Sequence, residues 1–224
     1  MSRTVEVPHP WRVDAREGAA IQEALRRRVR LTDELGEVRR IAGVDVGFRD
    51  GGATACAAVA CSSWPGLRLE ESHCVYRGVE MPYIPGLLSF RELPAVLDAL
   101  AALSAPPELI LCDGQGIAHP RRLGIAAHLG VLTGLPTIGA AKSRLVGEHG
   151  PVGRERGARA PLLDGAERIG TVLRTRTGVR PLYVSPGHRL DCDTACEWVL
   201  ACCTRYRLPE PTHAADRLAS RGRC

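Results

Sequence analysis

The first third of the chain shows a helical period followed by three strand-like segments. Residues 14–36 repeat apolar side chains every three to four positions, which predicts an N-terminal helix packed along one side. Short apolar segments at residues 40–47, 53–63 and 67–76 then predict three strands. Turns rich in glycine and proline separate these segments. Because the turns are short, we expect the strands to form an antiparallel meander.

Helical and strand-like patterns alternate along the rest of the chain. The predicted elements are a helix at 93–103, a strand at 108–112, a helix at 121–132, a strand at 136–138, a hairpin of strands at 167–174 and 181–184, and a helix at 194–206. Residues 145–165 are rich in Gly, Arg and Glu and predict a mobile surface loop, and we expect the tail after Arg217 to fray. This order of elements predicts an α/β fold, a mixed sheet with helices on its faces.

Size and composition fit a single folded unit. The 224 residues and the hydrophobic content of 45% predict one domain that spans residues 1–224. Aromatic residues make up only 4% of the chain, so Ala, Val and Leu must form the core. The formal net charge of +5, from 30 basic and 25 acidic residues, permits binding to a polyanion without requiring it.

The cysteines and the N-terminal segment bear on the compartment. The nine cysteines include no CxxC pair, and residues 1–12 are polar and interrupted by proline. The apolar runs all fall short of the roughly 20 residues needed to cross a bilayer. We therefore expect a soluble, cytoplasmic protein whose cysteines act mainly as small buried hydrophobes.

Two acidic residues lie at the ends of predicted strands. Asp45 belongs to the apolar segment AGVDVG (42–47), and Asp113 follows the apolar segment LILC. A buried carboxylate is costly unless it is paired, hydrogen-bonded or bound to a metal. The structural alternatives are a hydrogen-bonded aspartate at 45 and a turn-forming Asp-Gly at 113. Neighbouring strand ends bring side chains to one edge of a sheet, where ligands bind, so two such acids favour a shared metal site.

Three more residues fit such a site. Glu92 is a third candidate oxygen ligand, although an acid in the first turn of a helix would also explain it. Three carboxylates suit Mg²⁺ or Mn²⁺, which activate a water and stabilise charge on a phosphate. Lys142 is a candidate to neutralise that phosphate or orient the water, and an exposed lysine is the alternative. His119, at the start of a predicted helix, either binds a phosphate or caps the helix.

The segment MPYIPGLLSF (81–90) has an unusual composition. Two prolines bracket Tyr83 and Ile84 and stiffen the loop that carries them. A rigid aromatic tip can enter a base stack and offset the cost of flipping a base, which is a few kcal/mol. A tyrosine that packs the loop onto the core is the alternative, and composition does not choose between the two.

Two other motifs are weak. The GQG segment at 114–116 lacks the lysine and hydroxyl residue of a phosphate-binding loop. A zinc cluster would have to use His188, Cys192, Cys196 and Cys202, whose spacing matches no zinc motif. We interpret these cysteines as helix residues that pack as hydrophobes.

The combination of motifs resembles the endonuclease V family of deoxyinosine 3′ endonucleases. The stretches that carry the resemblance are AGVDVG (42–47), PYIPGLLSFRE (82–92), DGQGIAHPRRLG (113–124) and PTIGAAKSRL (136–145), with the weaker PLLDG (161–165) and YVSPGH (183–188). The likeness extends from about residue 16 to residue 218. The second and third stretches are long and specific, and they occur in the family's order.

The resemblance implies an RNase H-like fold and a Mg²⁺-dependent cut at the second phosphodiester bond 3′ of inosine. On this basis Asp45, Asp113 and Glu92 are expected metal ligands, and Lys142 and His119 are expected to assist at the phosphate. Tyr83 is the expected wedge, with Pro82 and Ile84 beside it. The residues expected to form the hypoxanthine pocket are Leu88, Gly114, Gly124 and Leu145.

The C-terminal motif departs from the family at one position. The family pattern is PEPTRxA followed by Asp or His, whereas this chain has PEPTHAAD (209–216). Asp216 keeps the acidic position and is a candidate fourth carboxylate near the metal. His213 replaces the family's arginine, so we hypothesise that one salt-sensitive DNA phosphate contact is missing.

Three functions remain to be compared. The first is cleavage of deoxyinosine-containing DNA in repair by a monomer. The second is inosine-specific cleavage of RNA, which requires a pocket that accepts a 2′-hydroxyl. The third is inosine binding without catalysis. A protein of that kind is expected to lack one of the metal-binding carboxylates, whereas Asp45, Glu92 and Asp113 are all present in this chain.

Overall fold

A single mixed sheet of eight strands organises the computed structural model, which describes residues 5–222. The strands are β1 (Arg40–Arg49), β2 (Thr54–Ser63), β3 (Leu69–Gly78), β4 (Leu109–Cys112), β5 (Thr137–Ala141), β6 (Arg159–Asp164), β7 (Glu167–Leu173) and β8 (Leu182–His188). Their order across the sheet is β3-β2-β1-β4-β5-β8-β7-β6. The predicted mixed α/β fold is therefore confirmed.

The pairing follows the predicted meander and adds a parallel centre. β1 to β3 form an antiparallel meander, and β7 pairs antiparallel with β8, as predicted. β1, β4 and β5 run parallel, with Val44 opposite Cys112 and Cys112 opposite Gly139. Because parallel strands end at the same edge, the residues that follow β4 and β5 meet there. We call this the site edge.

The described residues, 5–222, form five α-helices, four of which pack directly on the two faces of the sheet. They are α1 (Ala15–Leu25), α2 (Leu88–Ala101), α3 (Ile125–Thr133), α4 (Cys192–Cys202) and α5 (Glu210–Arg221). On one face α4 packs on β7 and β8 and α5 packs on β1 and β2, while α2 and α3 cover the other face. Among residues 5–222, no helix has the length and apolar content that a membrane span requires.

The core uses small aliphatic residues, as the low aromatic content predicts. Ala55, Ala57 and Val59 of β2 are buried against α2 together with Ala95 and Ala99. Alanine pairs allow the helix and the sheet to approach closely, so the core is dense without large side chains.

Four predicted helices have different bounds. The helix predicted at 121–132 begins only at Ile125, after its N-cap Gly124, so His119 does not lie at its start. The helix predicted at 194–206 extends from Cys192 to Cys202. α1 begins near the predicted position but ends at Leu25, and a 3₁₀ turn at Arg26–Arg28 follows. The prediction that this helix reaches residue 36 is wrong. Beyond the 3₁₀ turn the chain is no longer helical, and Arg30 O accepts a hydrogen bond from Arg189 N–H. α2 begins at Leu88 rather than at residue 93, since burial of Phe90 and Leu93 stabilises this additional turn.

Two elements were missed in the C-terminal half. Residues 159–164 of the predicted loop form edge strand β6. Ala160 and Leu162 are buried, and Pro161 lies between them at an exposed position, where an edge strand tolerates proline. The tail predicted to fray after Arg217 continues as α5 to Arg221, with Ala219 fully buried. Its buried residues are Pro211, Thr212, Ala215 and Ala219, so no large hydrophobic side chain marks the buried face in the sequence.

Candidate metal and nucleic-acid site

Asp45 and Asp113 are placed side by side by the register of two parallel strands. Val44 and Cys112 are direct partners, so the aspartates occupy the next position on each strand. Asp113 N–H donates a hydrogen bond to Val44 O at 3.2 Å, which extends the pairing to the aspartate itself. Asp45 and Asp113 therefore lie side by side, as the sequence predicted. Only Asp113 follows a strand end, because β1 continues past Asp45 to Arg49.

Two glycines bring a third acid to this pair. A Cβ atom on Gly43 would lie 2.1 Å from the backbone of Pro211, and one on Gly47 would lie 2.8 Å from Ala219 O. Only residues without side chains allow α5 to lie directly on β1 at this distance. The glycines of AGVDVG therefore seat the helix that carries Asp216 over Asp45.

The three aspartates form a compact group of oxygen ligands, which we call the carboxylate cluster: Asp45, Asp113 and Asp216. One carboxylate oxygen from each lies within 4.8 Å of the others. Lys142 Nζ, which follows β5, lies 2.5 Å from Asp113 Oδ2 and 2.6 Å from Asp216 Oδ1. A set of hard oxygen ligands at this spacing fits Mg²⁺ or Mn²⁺.

The cluster is electrostatically incomplete. Burial and then the charge of Asp113 raise the pKa of Asp45 to about 7. Burial also raises the pKa of Asp113, although Lys142 opposes the shift. Burial lowers the pKa of Lys142, but its hydrogen bonds to both aspartates outweigh that effect and raise the pKa overall. One ammonium does not balance three carboxylates, so a bound divalent cation would stabilise their ionised forms.

Glu92 approaches from the opposite face of the sheet. It lies on the buried side of α2 and is only 8% exposed. Burial and then the charges of Asp45 and Asp113 raise its pKa to about 8. Its carboxylate is outside the group of oxygens that lie within 4.8 Å of one another. Its place as a further ligand stays a prediction.

The loop that carries Tyr83, residues 81–87, is fastened at both ends and exposed at its tip. We call it the wedge loop. Met81 and Leu87 are buried, whereas Tyr83 is 65% exposed. Pro82 is exposed, and Ile84 is half-buried against the apolar cluster below the loop. A free aromatic tip on a fixed base fits a wedge better than a tyrosine that packs on the core.

A single carbonyl group fixes the base of the wedge loop. Gly86 has a φ of +80°, and its oxygen accepts hydrogen bonds from Gln22 Nε2 at 3.0 Å, Arg121 Nη2 at 2.9 Å and His119 Nε2 at 3.0 Å. The other ring nitrogen of His119 accepts from Arg121 N–H at 3.2 Å. Burial lowers the pKa of His119 to about 4, so the ring is neutral at physiological pH. His119 thus lies under the loop, and its contact with a phosphate stays a prediction.

The four residues expected around the base lie in two settings. Gly114 and Gly124 support tight backbone packing: a Cβ on Gly114 would lie 2.6 Å from Ile125 Cγ2, and one on Gly124 would lie 2.4 Å from Gln115 O. Leu88 and Leu145 are 37% and 52% exposed, as expected of residues that would contact a ligand rather than the core.

Sequence reasoning missed three neighbours of the site, which are Gln115, Arg207 and Tyr206. Gln115 Nε2 donates to Ser143 O at 2.8 Å, while its buried Oε1 has no partner among residues 5–222. Arg207 Nη2 donates to Lys142 O at 2.9 Å, which holds the end of β5 in place. The ring of His213 stacks on Tyr206, with centroids 3.8 Å apart. Arg207 and Tyr206 lie in no motif, so only the fold reveals them.

The residues of the weak zinc motif have other contacts. Cys196 and Cys202 are buried in the core between α4 and the sheet, as the interpretation as hydrophobes predicted. His188 Nδ1 accepts a hydrogen bond from Arg30 N–H at 3.2 Å.

Comparison with known proteins gives a consistent result. Residues 23–217 match the Endonuclease V family model. The chain is 58% identical over 221 residues to Endonuclease V of Alkalilimnicola ehrlichii, covering 98% of this chain and 97% of that protein. The crystal structure of Endonuclease V from Streptomyces avermitilis has a TM-score of 0.90 and 46% identity, covering 98% and 97% of the two chains. This likeness confirms the expected RNase H-like fold.

A more distant relative was solved with nucleic acid. Endonuclease V of Ciona intestinalis, in complex with a 24mer DNA containing an inosine followed by a ribo-adenosine, has a TM-score of 0.82 and 27% identity. The alignment covers 92% of this chain and 96% of that one.

Proposed function

Because this chain belongs to the endonuclease V family, we propose that it is a Mg²⁺-dependent endonuclease that cleaves DNA at deoxyinosine and so initiates repair of deaminated adenine. We place the cut at the second phosphodiester bond 3′ of the lesion. The observation that carries the proposal is the carboxylate cluster, in which three elements of the fold bring oxygen ligands within 4.8 Å of one another. Such a cluster is costly unless a cation binds it.

We assign the metal ligands as Asp45, Asp113 and Asp216, with Glu92 completing the site from the other face. The bound Mg²⁺ supplies an activated water and stabilises the charge that builds on the phosphate, and Mn²⁺ can take its place. Lys142 contacts Asp113 and Asp216. A cation held by these carboxylates would leave the Lys142 ammonium available to the scissile phosphate.

We assign recognition to the wedge loop and the loops beside it. Tyr83 enters the base stack, and Pro82 and Ile84 contact the strand beside it. Both ring nitrogens of His119 are already bonded, to Gly86 O and to Arg121 N–H. We therefore assign His119 an indirect role at the phosphate, in which it positions the wedge loop through Gly86. The flipped hypoxanthine lies among Leu88, Gly114, Gly124 and Leu145.

The test is cleavage of a duplex with one deoxyinosine in the presence of Mg²⁺, with Asp45→Ala and Asp113→Ala alongside. We expect a cut one nucleotide beyond the inosine, which both variants lose while they keep binding to the duplex. The matched duplex with adenine is the control for specificity. If the wild type cut neither DNA nor RNA, inosine binding without catalysis would replace this proposal.

Inosine-specific cleavage of RNA is the second candidate. The observation that favours it comes from the Ciona intestinalis complex, whose DNA places a ribo-adenosine directly after the inosine. A 2′-hydroxyl at that position is compatible with binding in that relative. Cleavage rates on matched DNA, RNA and single-ribonucleotide substrates distinguish the two candidates.

We further propose that residues 1–224 form one domain that acts as a monomer in the cytoplasm. Continuity of the eight-stranded sheet supports a single domain. Seven of the eight cysteines among residues 5–222 have free thiols, which supports a reducing compartment. Light scattering of the purified protein tests the monomer.

A further inference from the structure

Exposed arginines without acidic partners line the site edge beyond β5. The residues are Arg144, Arg154, Arg176, Arg180 and Arg205. Among residues 5–222, none of their guanidinium groups lies within 4.0 Å of a carboxylate. Among residues 5–222, some other arginines are paired with carboxylates, as Arg40 is with Glu71 and Arg168 is with Asp193, whereas Arg27 and Arg28 are exposed without such a pair. We call the five unpaired residues the arginine edge.

Strand pairing makes the arginine edge continuous with the metal site. Ala141 at the end of β5 pairs with Tyr183 of β8, and Leu182 pairs with Leu173 at the end of β7. Residues after β5, before β8 and after β7 therefore share one edge of the sheet. Gly178 N–H donates to Arg154 O at 2.9 Å, which adds the turn at 153–158 to the same edge.

The local charge is strongly positive. The two turns at 153–158 and 174–181 contain five arginines and one acidic residue, Glu155. Thr177 Oγ1 donates to the Glu155 carboxylate at 3.1 Å. Such an excess of cations on one surface attracts a polyanion and repels other cations.

Two partly buried arginines hold this surface in place. Arg174 donates to the carbonyl oxygens of Gly153, Val152 and Val179, which joins the two turns. Arg207 Nη2 donates to Lys142 O at 2.9 Å and to Pro181 O at 2.8 Å, which joins the end of β5 to the start of β8. The exposed arginines therefore project from a backbone that is fixed relative to the carboxylate cluster.

Electrostatic contacts link the two regions through one residue. Arg207 is close enough to Asp113 and Arg180 for both charges to act on its guanidinium. The positive surface thus begins beside the carboxylate cluster and extends away from it over β8 and β7.

We propose that the arginine edge binds the phosphates of the DNA duplex that flanks the lesion, outside the base pocket and the scissile bond. This inference rests on the proposed DNA substrate and extends it to a second contact surface. Phosphate contacts of this kind position the protein on DNA without reading its sequence. They also make binding depend on salt, because each contact releases counterions.

The experiment measures binding to an undamaged duplex and to a deoxyinosine duplex in EDTA, as a function of salt. The double variant Arg176→Gln/Arg180→Gln is compared with Arg27→Gln/Arg28→Gln, a control that removes two exposed arginines far from the site edge. For the edge variant we expect the slope of log K against log salt to fall by about 1.8, from about 0.9 per contact. The control should keep the wild-type slope.

Equal slopes of log K against log salt for both variants and the wild type would overturn the proposal. An equal decrease of that slope in both variants would also overturn it. Thermal unfolding of each variant checks that the fold is intact. Duplexes shortened on the 5′ or the 3′ side of the lesion then locate the contact, and no loss of wild-type affinity from either would also overturn it. Binding to undamaged DNA does not depend on cleavage, so a wild type that binds with the expected slopes but cuts nothing would refute only the proposed function.

Discussion

The carboxylate cluster and the wedge loop lie at the same edge of the sheet but differ in how well their polar groups are satisfied. In the cluster three aspartates share a single ammonium, and burial with mutual repulsion raises the pKa of Asp45 to about 7. In the wedge loop the oxygen of Gly86 accepts three hydrogen bonds, and the neutral His119 has partners on both ring nitrogens.

This difference separates chemistry from recognition. The cluster is unstable as built and gains stability from a cation, so its residues should matter for activity more than for folding. The wedge loop is stable without a ligand, and only its tip, Tyr83, is free to contact one. Substitutions in the two regions should therefore change different measured quantities.

The largest effect is expected for Asp113→Asn in the carboxylate cluster. The variant loses a charged ligand, so we expect single-turnover cleavage to slow by about 10³-fold or more, which is roughly 4 kcal/mol of activation free energy. In EDTA its midpoint of thermal unfolding should equal or exceed that of the wild type, because a repulsive charge is gone. A clear loss of stability with activity retained would show that Asp113 is structural.

The second effect is expected at the tip of the wedge loop. Tyr83→Ala removes an exposed ring, so the free energy of unfolding should change by less than about 0.5 kcal/mol. Affinity for deoxyinosine DNA should fall by about tenfold to a hundredfold, from the roughly 1–3 kcal/mol of a base stack. Tyr83→Phe is the control and should keep most of the affinity. Unchanged binding by Tyr83→Ala would exclude a wedge.

The sequence predicted Asp45, Asp113 and Tyr83 as candidate site residues because each is marked by a signal in its neighbouring residues. Asp45 and Asp113 interrupt apolar strands, and a charge in an apolar run is visible without a structure. The prolines around Tyr83 likewise mark a rigid loop. The strand bounds followed from alternation and turns, which are properties of neighbouring residues.

The rest depends on contacts between distant residues. Arg207 reaches Lys142 across 65 positions, and no local pattern distinguishes it from the other arginines. α5 packs on the glycines of β1 through its backbone at Pro211, Thr212 and Ala219, so small buried residues rather than large hydrophobic side chains make this contact. The neutral state of His119 likewise follows from burial, which the sequence does not show.

The third effect concerns pH and isolates the unsatisfied charges. Burial raises the folded pKa of Asp45 to about 7 and of Glu92 to about 8, above their ordinary values of 3.8 and 4.5. Their protonated forms stabilise the metal-free protein fully below those ordinary values, and this stabilisation is lost as pH rises through 7 and 8. The pKa values of the buried histidines His119, His128 and His188 are lowered, so these residues change the pH dependence of stability only below about pH 6.5.

In EDTA we therefore expect the unfolding midpoint to fall by about 5–10 °C between pH 6.5 and pH 8.5, because the two titrations together remove about 2–3 kcal/mol of stability. Glu92→Gln should flatten the decline, and Mg²⁺ should reverse it. A midpoint that stays constant or rises over this range would mean that these carboxylates are already ionised in the folded protein.

The smallest effect is expected at His213, beside the carboxylate cluster on the first turn of α5. The imidazole stacks on Tyr206. The family pattern that the sequence resembles has an arginine at this position. His213→Arg adds a permanent cation one turn before Asp216, so one phosphate contact should be gained. The slope of log K against log salt should then increase by about 0.9, while His213→Gln should leave it unchanged. An unchanged slope for His213→Arg would mean that the stack on Tyr206, rather than a missing charge, is what this position contributes.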